Sequence, residues 1–97
     1  MTRPSGALTL YRNEILATAS QYCTTNVRVF GSVALQLDSE SSDLDILVDA
    51  LPQTTLFDLG GLQVALENLL GVKVDVLTPL DLPAKFRKDV LEQAQPI

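Results

Sequence analysis

Histidine is absent from this 97-residue chain, cysteine occurs once, and lysine occurs only as Lys73, Lys85 and Lys88. Without histidine there is no Ser-His-Asp triad, no imidazole general base and no zinc site built on imidazole. The lone Cys23 excludes an internal disulfide and a thiolate metal cluster, which suits a reducing cytoplasm. Basic residues are scarce: 7 Lys and Arg stand against 12 Asp and Glu, a net charge of −5. That balance is a poor footprint for nucleic acid and suits a protein partner with a basic surface better. No basic-then-apolar leader opens the chain, and no apolar run approaches the roughly 20 residues that span a bilayer. A soluble, cytoplasmic protein with no direct nucleic-acid or membrane contact is expected.

What is present reads as one small α/β domain over residues 1–97, with ordinary apolar content and room for a single core. Residues 1–5 read as a loose N-terminus. Apolar residues at helical spacing (Leu8, Tyr11, Ile15, Ala19, Tyr22) predict a helix over residues 6–22, with Leu16 and Cys23 widening its stripe. On that face Cys23 is a small core residue rather than a nucleophile. Thr24, Thr25 and Asn26 break the pattern before a short strand over 27–30, and residues 32–37 suit a short helix. Asp38 to Ser42 form a polar loop, and 43–49 a largely buried strand that Pro52 ends. Leu59, Leu62, Leu66, Leu69 and Leu70 mark a helix over 56–70, weakened at its start by Gly60-Gly61 and ended by Gly71. A strand over 72–77 puts Val72, Val74 and Val76 on one face and Lys73, Asp75 and Leu77 on the other. Asp81 is the expected N-cap of a last helix over 82–94. The order α-β-(short α)-β-α-β-α predicts a small mixed sheet flanked by helices.

Chemistry concentrates in one pattern: Gly31-Ser32, then Asp43-Leu44-Asp45. Residues two apart on a strand leave the same face, their Cα atoms about 7 Å apart, so Asp43 and Asp45 can hold carboxylates side by side. Hard oxygen ligands without imidazole or thiolate select Mg²⁺ or Mn²⁺, held together with substrate phosphates. Asp75, in mid-strand between valines, would be costly alone, and a shared metal site explains it. Gly31 allows the backbone close to a phosphate, the amides opening the short helix point toward it, and Ser32 Oγ adds a hydrogen bond. Singly, Gly-Ser is a turn and Asp-x-Asp a solvated strand end; together, with a third carboxylate, they describe a site. Asp38, Glu40 and Asp49 read as solvated charges.

Val29-Phe30-Gly31-Ser32 through Asp43-Leu44-Asp45, with Val74-Asp75-Val76 downstream, resembles the minimal nucleotidyltransferase (MNT) domain of the DNA polymerase β-like nucleotidyltransferase superfamily. The resemblance spans nearly the whole chain and extends to the antitoxins of HEPN–MNT toxin–antitoxin pairs. It implies a polymerase β-like fold and transfer of AMP from ATP-Mg²⁺ to a tyrosine of a HEPN ribonuclease toxin, which silences it. It makes Asp43 and Asp45 metal ligands, Asp75 a third carboxylate that binds metal and helps deprotonate the incoming hydroxyl, and Gly31-Ser32 the phosphate turn. Many family members end the stretch after Gly-Ser in Arg-Gly, where this chain has Leu35-Gln36. Arg28 and Lys73 are the nearby cations that could compensate.

Two readings remain from the sequence: an active adenylyltransferase antitoxin, or an MNT-fold module that neutralises its toxin by contact alone. A transferase acting on a small molecule fits less well, since such enzymes usually close a second domain over the acceptor.

Overall fold

The computed structural model describes residues 3–97. Its element order is α1 (Pro4–Leu10), α2 (Arg12–Gln21), β1 (Thr24–Phe30), α3 (Gly31–Ala34), β2 (Leu44–Ala50), α4 (Leu56–Leu70), β3 (Val74–Leu77), a 3-10 turn (Pro79–Asp81), α5 (Ala84–Gln93) and β4 (Gln95–Pro96). The strands form one mixed sheet in the order β3-β2-β1-β4. β1 is antiparallel to β2 and to β4, while β2 and β3 run parallel across the α4 connection. This is the small mixed sheet with flanking helices that the sequence predicts.

Strand alternation decides which face is core. Val27 and Val29 of β1, Leu44, Ile46 and Val48 of β2, and Val74 and Val76 of β3 all point to one side. There they meet Ala7, Ile15, Ala19, Leu62, Leu66 and Leu70 from the helices. Each large aliphatic chain withdrawn from water stabilises the fold by about 1.5–3 kcal/mol. The opposite face carries Leu47, fully buried and two residues along β2 from Asp45, and the 3-10 turn packs against this strand. Arg87 of α5 fastens that turn by donating to the carbonyls of Pro79 (2.9 Å) and Leu82 (2.9 Å).

Several local expectations are corrected. The first helix is interrupted at Tyr11, whose φ of −113° and ψ of 22° leave the helical well. Cys23 does not sit on the helix's apolar face. It follows α2 in a left-handed turn (φ +60°) that reverses the chain into β1. β1 begins at Thr24, because the break at residues 24–26 is a bulge: the register shifts between Thr25 and Arg28, with Asn26 at φ +54°. Asp81 caps the 3-10 turn instead of α5, accepting from the amide and hydroxyl of Thr78 at 2.9 Å each. β4 was unforeseen, since two residues carry no alternation to read. The expected loose stretch at residues 1–5 lies partly outside the described residues; Pro4 is buried and already helical.

α4 follows expectation closely. Thr55 and Asp58 close a capping box at its start, and Gly71 ends it in the left-handed region at φ +69°. Gly60 has open space beside it, but a Cβ on Gly61 would press on the Tyr22 ring, 2.6 Å from Cε1. Gly61 is therefore a packing requirement, not only a helix weakness. Among the described residues, no helix is long and apolar enough to cross a membrane.

Candidate active site

β1 ends at Phe30, and Gly31 turns the chain into α3 with φ +71°. Two demands meet at this glycine. The left-handed conformation disfavours any side chain. A Cβ there would also collide with Asp45 Oδ2 and lie 3.3 Å from Asp45 Cγ. Gly31 therefore makes room for a carboxylate as well as for whatever lies above the turn. The first intrahelical bond of α3 runs from the Leu35 amide to the Gly31 carbonyl (3.1 Å), so the amides of Gly31, Ser32 and Val33 have no partner within the helix. α3 has only four residues, so anion binding here depends on those amides and Ser32 Oγ more than on a helix dipole.

Asp43 directly precedes β2 rather than opening it. Leu44 and Ile46 turn into the core, so Asp43 and Asp45 leave by the other face. Register then delivers the third carboxylate: Asp75 of β3 lies level with Asp45, as Phe30 does on the other side. Adjacent strands are about 4.8 Å apart. The three aspartates thus share one face at the end of the sheet where β1 finishes and β2 and β3 begin.

β3 is an edge strand, and its outward amides are taken up by α4. Glu67 Oε2 accepts from the Val74 amide (3.1 Å) and Gln63 Oε1 from the Val76 amide (3.2 Å), one on each side of Asp75. Sequence reasoning missed these two positioning residues. Their i, i+4 spacing on a helix preceding an edge strand was the available signal.

Electrostatics mark Asp45. Burial pushes its carboxyl up to about 6, with the negative charges of Asp75 and then Asp43 adding to the effect. Among the described residues neither Asp45 nor Asp75 has an ion-pair or side-chain hydrogen-bond partner. Asp43 lies 4.0 Å from Lys73 Nζ. A partly buried carboxyl among like charges and without a counter-charge is the environment that a divalent cation relieves. The donors are all hard oxygens, which fits Mg²⁺ or Mn²⁺. Among the described residues, no three acidic, cysteine or histidine side chains close on one ion unaided. The aspartates offer ligands in smaller sets, leaving positions for water and phosphate oxygens, the usual way Mg²⁺ is held.

Neither cation near the site stands over the Gly31-Ser32 turn: Lys73 lies across β2 from it, beside Asp43, and Arg28 is spent elsewhere. Its Nη2 pairs with Asp49 Oδ1 at 2.6 Å and its Nε donates to the Asn26 carbonyl at 3.0 Å. Asp49 is consequently not the solvated charge expected: Arg28 and Asn26 Nδ2 (2.8 Å) both hold it. Asp38 is also buried, not solvated. It accepts from the Ser5 amide at 3.0 Å, which holds its carboxyl below the usual range and ties the loop to α1. Leu35 and Gln36 are exposed, and Gln36 occupies the left-handed region at φ +60°. The backbone thus keeps the conformation that suits the family's glycine.

A glycine turn beside three carboxylates at the ends of neighbouring strands is an arrangement suited to metal-assisted transfer from a phosphorylated donor. The sequence matches the nucleotidyltransferase domain family over residues 13–97. The chain belongs to that family, and its fold is that of a minimal nucleotidyltransferase domain, an enzyme class. A solved structure described as a minimal nucleotidyltransferase shares 40% identity and a TM-score of 0.86, covering 96% of this chain and 95% of that one. The protein adenylyltransferase MntA of Thermococcus cleftensis is 34% identical over 86 residues, 89% of this chain and 84% of MntA. A toxin–antitoxin crystal structure with AMP-PNP has the same fold, with a TM-score of 0.73 at 21% identity, over 87% of this chain and 69% of that one.

Proposed function

We propose that residues 1–97 act as one minimal nucleotidyltransferase domain, a cytoplasmic antitoxin that transfers AMP from ATP-Mg²⁺ to a tyrosine of a partner HEPN ribonuclease toxin. One observation carries the reading: Asp45 lies against Gly31 and level with Asp75, Asp43 precedes it by two residues, and among the described residues no cation pairs with Asp45. Like charges are not gathered this way for stability. The relative named protein adenylyltransferase and the toxin–antitoxin structure with AMP-PNP support the donor and the partner.

Asp43, Asp45 and Asp75 would hold metal in smaller sets completed by phosphate oxygens and water, and the metal would supply charge neutralisation of the phosphates and activation of the attacking oxygen. Gly31 and Ser32 bind the triphosphate through backbone amides and Oγ. The acceptor oxygen bonds to the α-phosphorus, the bond from that phosphorus to pyrophosphate breaks, and the acceptor proton passes to the Asp75 carboxylate. Gln63 and Glu67 hold β3, and with it Asp75, in register with Asp45.

Mass spectrometry of the toxin after incubation with this protein and ATP-Mg²⁺ should show added AMP, and Asp45→Ala should abolish it. The second reading, a module that binds without transfer, draws on the exposed Leu35 where the family carries arginine. It wins if the toxin is neutralised without added mass and Asp45→Ala protects equally well.

A further inference from the structure

The carboxylate face opens beside a cavity of about 430 Å³ walled by residues 40–43 and 70–73, with Glu40, Asp43 and Lys73 as its charged side chains. That volume lies within the range of small-molecule sites. Asp43 is common to the cavity and the carboxylate cluster. A second cavity, of about 300 Å³ between α2 and β1, has no ionisable side chain and no wall in common with the aspartates.

Strand order gives the first cavity a direction. Gly31-Ser32 follows β1, Asp43 leads into and Asp45 belongs to the central β2, and the turn into β3 forms the cavity's far wall. Phosphoryl-group displacement keeps attacking and leaving oxygens roughly in line. With pyrophosphate departing over Gly31-Ser32 and the reacting phosphorus above β2, the attacking oxygen must arrive from the β3 side. The cavity lies on that side.

We propose that this cavity receives the acceptor's hydroxyl-bearing side chain, with Lys73 as an acceptor-binding residue; this rests on the nucleotidyltransferase reading above. Gly71 and Val72 offer an apolar wall for an aromatic ring. Lys73 Nζ, whose side chain is 70% exposed and whose only ion pair among the described residues is to Asp43 at 4.0 Å, donates to the acceptor oxygen. The hydroxyl proton still passes to Asp75, as the new oxygen–phosphorus bond forms and the bond to pyrophosphate breaks. Nucleotide and acceptor thereby occupy opposite sides of β2.

Binding without turnover tests this. Amide NMR of the full chain with AMP-PNP and Mg²⁺ would be followed while N-acetyl-tyrosinamide is added as the acceptor probe. Shifts are expected at Ser41, Ser42, Gly71, Val72 and Lys73. Lys73→Gln should weaken the probe by about tenfold, the scale of one charged hydrogen bond, while AMP-PNP affinity changes less than about twofold. Ser41→Trp, at an exposed rim position, should block the probe without affecting the fold. Probe shifts that are absent or that centre on α3, or a Lys73→Gln variant that loses AMP-PNP while keeping the probe, would overturn the assignment and leave the nucleotidyltransferase reading standing. Failure of the wild type to bind AMP-PNP would sink that reading and the inference together.

Discussion

Replacing Asp45 with asparagine should make the metal-free protein more stable at neutral pH. In the unfolded chain this carboxyl titrates near 3.8, and in the fold it is pushed up to about 6. Below the unfolded value both states hold the proton and the fold carries no penalty. As pH rises through about 6 the folded group must ionise, partly buried and facing Asp75 and Asp43, and stability is lost. The displacement corresponds to roughly 3 kcal/mol. Asp45 is partly open to solvent, and screening reduces this to about 1.5 kcal/mol. Asparagine removes the charge and, because Asp45 has no side-chain hydrogen bond among the described residues, breaks nothing. For a domain of this size the gain should raise Tm by roughly 6–12 °C. Urea unfolding in EDTA at pH 4 and pH 7.5 would measure it. The variant should exceed wild type at pH 7.5 and match it near pH 4, and Mg²⁺ should narrow the gap by stabilising wild type. An Asp45→Asn protein no more stable than wild type at pH 7.5 would refute the electrostatic account.

Gly31→Ala should cost about 2–4 kcal/mol, combining left-handed strain with the collision against Asp45, and should abolish AMP-PNP binding by calorimetry. Gly60→Ala, with open space around it, should instead stabilise by about 0.5–1 kcal/mol, whereas Gly61→Ala should destabilise by pressing on Tyr22; thermal melts of both would show opposite signs. Gln36→Gly should stabilise by about 1 kcal/mol in denaturant titration, and adding Leu35→Arg should raise the AMP transfer rate. Arg28→Ala should cost about 1 kcal/mol through loss of its pair with Asp49, yet leave AMP-PNP affinity unchanged because that pair is engaged away from the site.

Much of this molecule is decided locally. The leucine spacing and Gly71 determined α4, valine alternation determined the core face of β3, and Gly-Ser with Asp-x-Asp marked the site, because each is a short-range pattern of period or conformation. Leu35-Gln36 stood out only against the family that the chain resembles, not through any local pattern. Partnerships across the sheet were not legible. Asp75 could be suspected as a carboxylate between valines, but only parallel pairing of β3 with β2 sets it level with Asp45. Nothing local says that Arg28 is drawn to Asp49, that Asp38 caps the amide of Ser5, or that Gln63 and Glu67 hold the edge of β3. These contacts join residues brought together by chain crossings and register, so they have no signature in nearest-neighbour sequence. The same holds for Gly31: the sequence asked for a glycine at a turn, and only the fold put a carboxylate where its Cβ would be.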